Sequence, residues 1–234
     1  MKELVKNACK NIGIDLNDTQ AENFEKYYNL LIEWNEKINL TRIVEPDEVA
    51  LKHFADSITI VKYFEIPENA SLIDVGTGAG FPGIPLKIYR NDINLTLLDS
   101  LNKRLNFLNE VADNLELEVD TIHSRAEEAG KDSEKRESYD IATSRAVARF
   151  NVLCEYCLPL VKVGGSFIAM KGAEYKEEID EANNALKLLG GEITLVKEFN
   201  LAEAGERAII VIKKTEPTPE KYPRNGKKIK NKPL

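Results

Sequence analysis

Ser71-Leu72-Ile73-Asp74-Val75 is a short apolar run that ends in an acid and a β-branched residue. It breaks at once into Gly76-Thr77-Gly78-Ala79-Gly80-Phe81-Pro82-Gly83 before a helical pattern resumes. No other stretch limits the fold so strongly. A strand that turns through clustered glycines into a helix belongs to the α/β class, whose ligands bind in the crevice at the carboxyl ends of the strands. Glycine admits positive φ and lets backbone approach a ligand closely. Asp74 puts a fixed negative charge near the strand tip, and that charge is expected to select a cationic ligand.

The pattern on either side agrees. Before residue 67 the chain reads as helical: Phe24, Tyr27, Leu30, Leu31, Trp34 and Ile38 recur at helical spacing, and Pro46 opens a second helix through Val49, His53, Ile58 and Val61. From Ser71 strands alternate with helices. Strands are expected at Leu72–Val75, Asn94–Leu98, Leu117–Ile122, Tyr139–Thr143 and Ser166–Met170, the last entered by a turn at Gly164-Gly165. Helices are expected at Ile84–Tyr89, Lys103–Asn114, around Val152–Leu160 and over Ala173–Leu189. This alternation predicts a mostly parallel, doubly wound sheet. Glu192–Phe199 and Arg207–Ile212 have no helix between them, so they must pair antiparallel and the last strand is reversed. Three parts result: a helical extension (1–66), a ligand-binding α/β domain (67–214) and a basic tail (215–234). The tail and the segment Lys131–Glu137 read as the mobile parts.

Composition narrows the class. The chain has 43% hydrophobic and 30% charged residues and no apolar run near the roughly 18 residues that span a bilayer. Cys9, Cys154 and Cys157 form no disulfide framework, which fits a reducing cytoplasm. Two histidines and no second cysteine pair leave no metal site. The net charge of −7 argues against general affinity for polyanions, yet Lys221, Arg224, Lys227, Lys228, Lys230 and Lys232 face no acid. Such a tail reads equally as a nucleic-acid contact and as a solvated solubilising end.

Gly78-x-Gly80-x-x-Gly83 matches the dinucleotide fingerprint, and Asp99 follows at the distance of a ribose-binding acid. A lone match of this kind is weak. Asp74 would repel a diphosphate, and Pro82 removes an N–H donor at the helix start. S-adenosylmethionine, with an ammonium, a sulfonium and a ribose diol, suits the loop better. Asp74 is expected at the ammonium, and Asp99 at the two ribose hydroxyls. A nicotinamide-dependent oxidoreductase and a non-enzymatic RNA-binding module are the rival readings.

The chain resembles the RsmG (GidB) family of small-subunit ribosomal RNA guanine-N7 methyltransferases. The resemblance rests on Gly76–Ile88, on Leu31–Thr41 (LIEWNEKINLT), His53–Ser57 (HFADS) and Leu97–Arg104 (LLDSLNKR). Ser124–Glu127 (SRAE), Ser144–Ala148 (SRAVA), Ala169–Gly172 (AMKG) and Lys221–Arg224 (KYPR) carry it over nearly the whole length. It implies a Rossmann-like class I methyltransferase fold, S-adenosylmethionine as cofactor and 16S rRNA, free or within the 30S particle, as partner. It further implies that Gly76 and Phe81 line the methionine and sulfonium part of the pocket, that Asp99 holds the ribose, and that Ala126 and Glu127 frame the adenine, with Gly78 and Ser100 as further candidate cofactor contacts. Arg145 would lie at the mouth of the site.

The chemistry expected from the residues is spare. Thr143-Ser144-Arg145-Ala146 stands where amino-methylating enzymes commonly carry Asn/Asp-Pro-Pro-aromatic, and Cys154 and Cys157 read as buried thiols, not as nucleophiles. Guanine N7 already carries an in-plane lone pair and needs no base, so His53 is not expected to act as one. Arg145 is the candidate positioning residue, and Arg125, Arg149, Lys171, Lys221 and Arg224 are the candidate RNA contacts.

Overall fold

In the computed structural model, which describes residues 1–234, the first third forms α1 (Lys2–Asn11) and α2 (Asp18–Ile38). Asn17 fixes the start of α2 by accepting from the Gln20 amide at 2.8 Å, while the Gln20 side chain accepts from the Asn17 amide at 2.9 Å. After it, α3 (Pro46–Val49) passes through a π-helical turn, Ala50–Ala55, into α4 (Asp56–Ile58) and α5 (Ile60–Tyr63). Such turns gather at functional sites. This one carries Lys52 and His53 and delivers Asp56 immediately after it.

Seven strands make one sheet in the order β3-β2-β1-β4-β5-β7-β6. They are β1 (Ser71–Val75), β2 (Asn94–Asp99), β3 (Val119–His123), β4 (Tyr139–Arg145), β5 (Val161–Lys171), β6 (Gly191–Asn200) and β7 (Glu206–Lys214). The parallel strands are joined through α6 (Gly83–Tyr89), α7 (Asn102–Leu115), α8 (Ala126–Ala129) and α9 (Phe150–Cys157), and α10 (Tyr175–Leu189) leads from β5 to β6. β7 runs antiparallel to both neighbours, β5 and β6, as the missing crossover requires. Gly164-Gly165 is not the expected turn but lies inside β5. The register against β4 slips there, between the pairs Tyr139–Val161 and Ile141–Ser166, so the surplus residues bulge out.

Side chains alternate across the sheet, and each face has its own core. Leu72, Leu95, Leu97, Ile141 and Ile168 pack with α1, α2, α6 and α7 on one face; Ile73, Val75, Leu98, Ala142 and Phe167 pack with α9 and α10 on the other. The N-terminal helices are therefore one layer of the sheet's own packing.

Both segments expected to be mobile are built into the structure. Arg136 donates to the carbonyls of Gly130 at 2.8 Å and of Tyr222 at 2.9 Å. Lys214 is fully buried and donates to Leu158 O at 2.8 Å, with Glu137 Oε1 3.1 Å away. β7 ends at the edge of the sheet remote from the strand tips. From there residues 215–234 climb back over α8 and α9 through Tyr222 and Pro223 to α11 (Gly226–Asn231), whose Ile229 is fully buried. The missing signal was long-range: acids such as Glu155, far away in sequence, neutralise the tail's charge.

Candidate active site

A crevice of about 740 Å³ opens at the carboxyl ends of β1, β2 and β4. It is lined by Gly76, Gly78, Phe81, Asp99, Ser100, Arg125, Ala126, Glu127, Arg145 and Arg149, so one wall brings together most of the residues singled out in the sequence. Gly76 takes φ +71, and a Cβ there would meet Val147 Cγ2 at 2.7 Å. Gly80 takes φ +97, and a Cβ would strike the Tyr27 hydroxyl and Leu108. That hydroxyl donates to Ala79 O, so α2 pins the back of the loop.

Six of the loop amides are spent within the protein. Gly76 N and Thr77 N donate to Leu98 O, Gly80 N and Phe81 N to Thr77 O, Gly78 N to Asp99 Oδ2 and Gly83 N to Asp74 Oδ2. A diphosphate cradle needs such N–H groups free and converging. This loop does not offer them, which removes the basis for the dinucleotide reading. Asp99 accepts from Leu101 N at 2.9 Å, Gly78 N at 3.0 Å and Arg104 Nη1 at 3.2 Å. A carboxylate has about four acceptor positions, so it keeps capacity for a hydroxyl on the crevice side. The volume and this acceptor fit an adenosyl cofactor without phosphate.

Asp74 is placed differently from expectation. It is fully buried behind the loop, does not line the crevice, and accepts from Thr77 Oγ1 at 2.7 Å and Gly83 N at 2.9 Å. Burial pushes its carboxyl up to about 6 against those hydrogen bonds. Its work is to tie the two ends of the glycine turn together. The sequence gives its position on the strand but not which way the side chain turns, and it turns onto the start of α6.

A second cavity, of about 540 Å³, adjoins the first; Arg145, His53 and Ala146 line both. Arg145 is held on several sides. It donates to Asp56 Oδ2 at 2.7 Å, to Lys52 O at 3.0 Å and to His53 Nδ1 at 3.3 Å, and its guanidinium lies 5.0 Å from the Phe81 ring centre. Asp56 also accepts from Arg207 Nε at 3.2 Å. Because Nδ1 of His53 accepts, Nε2 carries the proton and donates to Thr41 Oγ1 at 2.9 Å. Burial and the neighbouring Arg145 push His53 down to about 3, so the ring is neutral. Ala146 holds φ +56, a strained value for a residue with a Cβ, where the two cavities meet.

The candidate RNA contacts divide. Arg125 and Arg149 reach the crevice, although Arg149 is engaged by Glu181 at 2.7 and 2.9 Å. Lys171 lines the second cavity, where it pairs with Glu178 at 2.6 Å and donates to Ala148 O at 3.1 Å, which fixes the loop after β4. Arg224 is spent on the buried Glu155, Nη2 to Oε2 at 2.6 Å and Nε to Oε1 at 2.8 Å. Each neutralises an acid inside the fold, and of the two only Lys171 borders either cavity. Lys221 stays exposed but away from the crevice. Sequence reasoning missed Asp56 and Arg207, which line the second cavity, and Lys230 and Pro233, which line the first.

The three cysteines are free and buried, and burial raises each thiol, so none is a ready nucleophile. No group of three or more His, Cys, Asp or Glu side chains is arranged to hold a metal ion, and no helix is long and apolar enough to cross a membrane.

Comparison with known proteins agrees with this geometry. The profile of the family described as "GidB: rRNA small subunit methyltransferase G" matches residues 20–210. A Ribosomal RNA small subunit methyltransferase G from Desulforamulus reducens is 53% identical over 98% of this chain and 97% of its own length. Another, from Alkaliphilus metalliredigens, is 49% identical over 100% and 98%. Among solved structures, a SAM-dependent methyltransferase from Aquifex aeolicus aligns with TM-score 0.53 at 19% identity, over 72% of this chain and 93% of that one. M. jannaschii TYW2 in complex with AdoMet aligns with TM-score 0.52 at 17% identity, over 67% and 74%. These two share the class I methyltransferase fold.

Proposed function

Because the chain belongs to the GidB family, rRNA small subunit methyltransferase G, we propose that it transfers a methyl group from S-adenosylmethionine to N7 of one guanine in 16S rRNA. The observation that carries this reading is the shared wall: Arg145 borders both the crevice that fits an adenosyl group and the cavity beside it. When bound, S-adenosylmethionine supplies an electrophilic methyl group open to direct displacement by a lone pair.

Asp99 and Ser100 are suited to hold the ribose, Ala126 and Glu127 to frame the adenine, and Gly76, Gly78 and Phe81 to border the methionine part. The target base enters the second cavity. Guanine N7 needs no deprotonation, and the neutral, doubly hydrogen-bonded His53 is unsuited to act as a base. Proximity and orientation can supply roughly 7–11 kcal/mol of a transfer barrier. Arg145, fixed by Asp56 and His53, grips the O6 edge or a neighbouring phosphate without reorganising. A base presented this way must be unstacked, so loop or single-stranded rRNA, exposed in free RNA or on the 30S particle, is the substrate form. The site of action is the cytoplasm.

Two measurements test this. S-adenosylhomocysteine should raise the melting temperature whereas NADH should not. Mass mapping of small-subunit rRNA from cells lacking the protein should show one N7-methylguanosine missing; an unchanged map would overturn the assignment.

A further inference from the structure

The C-terminal segment ends on the cofactor crevice. Lys230 and Pro233 form part of its wall, on the side of Arg125, Ala126 and Glu127. The segment reaches that place along a fixed path. Arg224 is locked on Glu155 by its side chain and by its amide, 2.7 Å from Glu155 Oε1, and Ile229 is fully buried in the core on the α9 side of the sheet. Between these two anchors, at the first position of α11, stands Gly226. Its α-carbon abuts the Glu127 carboxylate so closely that a Cβ there would overlap Oε1 and would lie 2.9 Å from Cδ. Nothing else crowds that position, and its φ is not in the left-handed region.

We infer that the tail is a structural part of the cofactor site, and that Gly226 sets the position of Glu127 by leaving room for its carboxylate. Glu127 sits at the start of the short α8, where its side chain is free to rotate, and no hydrogen bond within the protein fixes it. The absence of a side chain at residue 226 is what lets the carboxylate rest against the tail and face the crevice. Lys230 and Pro233 then close the wall next to it. The basic tail is thus a binding element for the nucleoside part of the cofactor, which rests on the reading that the adenosyl group occupies this crevice.

The test is a double-mutant cycle read by calorimetric titration with S-adenosylhomocysteine. Gly226→Ala adds one methyl group in a helix, against the mobile end of a side chain, so the unliganded melting temperature should stay within about 1 °C of wild type. Its dissociation constant should rise about fivefold. Glu127→Ala should weaken binding at least as much, and Gly226→Ala/Glu127→Ala should be no weaker than Glu127→Ala alone, since the glycine acts only through that carboxylate. Loss of binding in Glu127→Ala with wild-type affinity in Gly226→Ala would overturn the inference and leave the cofactor assignment intact. So would equal, additive losses in the double variant. No binding of S-adenosylhomocysteine by the wild-type protein would instead sink the assignment of the crevice itself.

Discussion

The cofactor crevice and the cavity next to it are built by opposite means. The crevice is largely backbone and small residues, contributed by the turns after β1, β2 and β4, with most of the loop amides bonded to the loop itself or to the strands beside it. The second cavity is made of long charged side chains from distant parts of the chain: Lys52 and Asp56 from the helical extension, Arg145 from β4, Arg207 from β7. One is rigid because hydrogen bonds tie the glycine turn to the adjoining strands β1 and β2. The other is rigid because Arg145 and Arg207 converge on the buried carboxylate of Asp56. Rules of sequence reading see the first kind of construction and are nearly blind to the second.

Arg145→Ala should break this contrast most severely. It removes the partner of the buried Asp56 and the shared wall, and should lower methyl transfer by about 10²–10³-fold while S-adenosylhomocysteine affinity stays within about twofold. Arg145→Lys, which keeps the charge but not the fork, should recover only part. Comparable loss of binding and turnover would show that the two cavities are not functionally separable.

Gly80→Ala probes the rigid side. The Cβ would collide with Tyr27 and Leu108 at a positive φ. Denaturant unfolding should show a loss of about 2–4 kcal/mol. A change below about 0.5 kcal/mol would mean that α2 does not pin the loop.

Asp99→Ala should raise the dissociation constant for S-adenosylhomocysteine about tenfold to a hundredfold, the range for hydrogen bonds to a charged acceptor. Turnover at saturating cofactor should fall less. Asp74→Asn, by contrast, should act through stability, because that carboxylate is buried off the crevice and its Oδ2 holds Thr77 and Gly83.

The last effect concerns pH and is small near neutrality. The unfolded chain takes up a proton on His53 near pH 6.5 and the folded one only near 3. The unfolded state therefore binds more protons in that window, and stability falls as pH drops through it, by at most about 1.4 kcal/mol per pH unit from this residue. His53→Gln should flatten that part of the curve. The transfer rate at saturating substrates should show no ionisation near 6.5; a rate that follows one would restore His53 as a base.

The contrast also explains what was legible in the sequence. The strand–glycine–helix run and the missing last crossover determine the sheet and its reversed strand from local pattern alone. The position of Asp74 on β1 is legible, but its contacts with Thr77 and Gly83 through Oδ2 are not, since period-two alternation gives a face but not which loop end a carboxylate turns to meet. The pairing of Lys171 with Glu178 and of Arg224 with Glu155 is not legible, because these residues become neighbours only through packing. The tail read as loose for the same reason: its charge is visible in the sequence, whereas its anchors, Arg136 and Glu155, lie about 70 to 90 residues upstream.

A single-turnover reaction addresses the central claim most directly. The purified protein, labelled S-adenosylmethionine and small-subunit rRNA lacking the modification are mixed, and the RNA is digested to nucleosides. All incorporated label should be recovered as 7-methylguanosine at one position, in rRNA alone or in the 30S particle. Label on an exocyclic amine or a ring carbon, or no label in either substrate, would contradict a site that positions a lone pair and abstracts no proton.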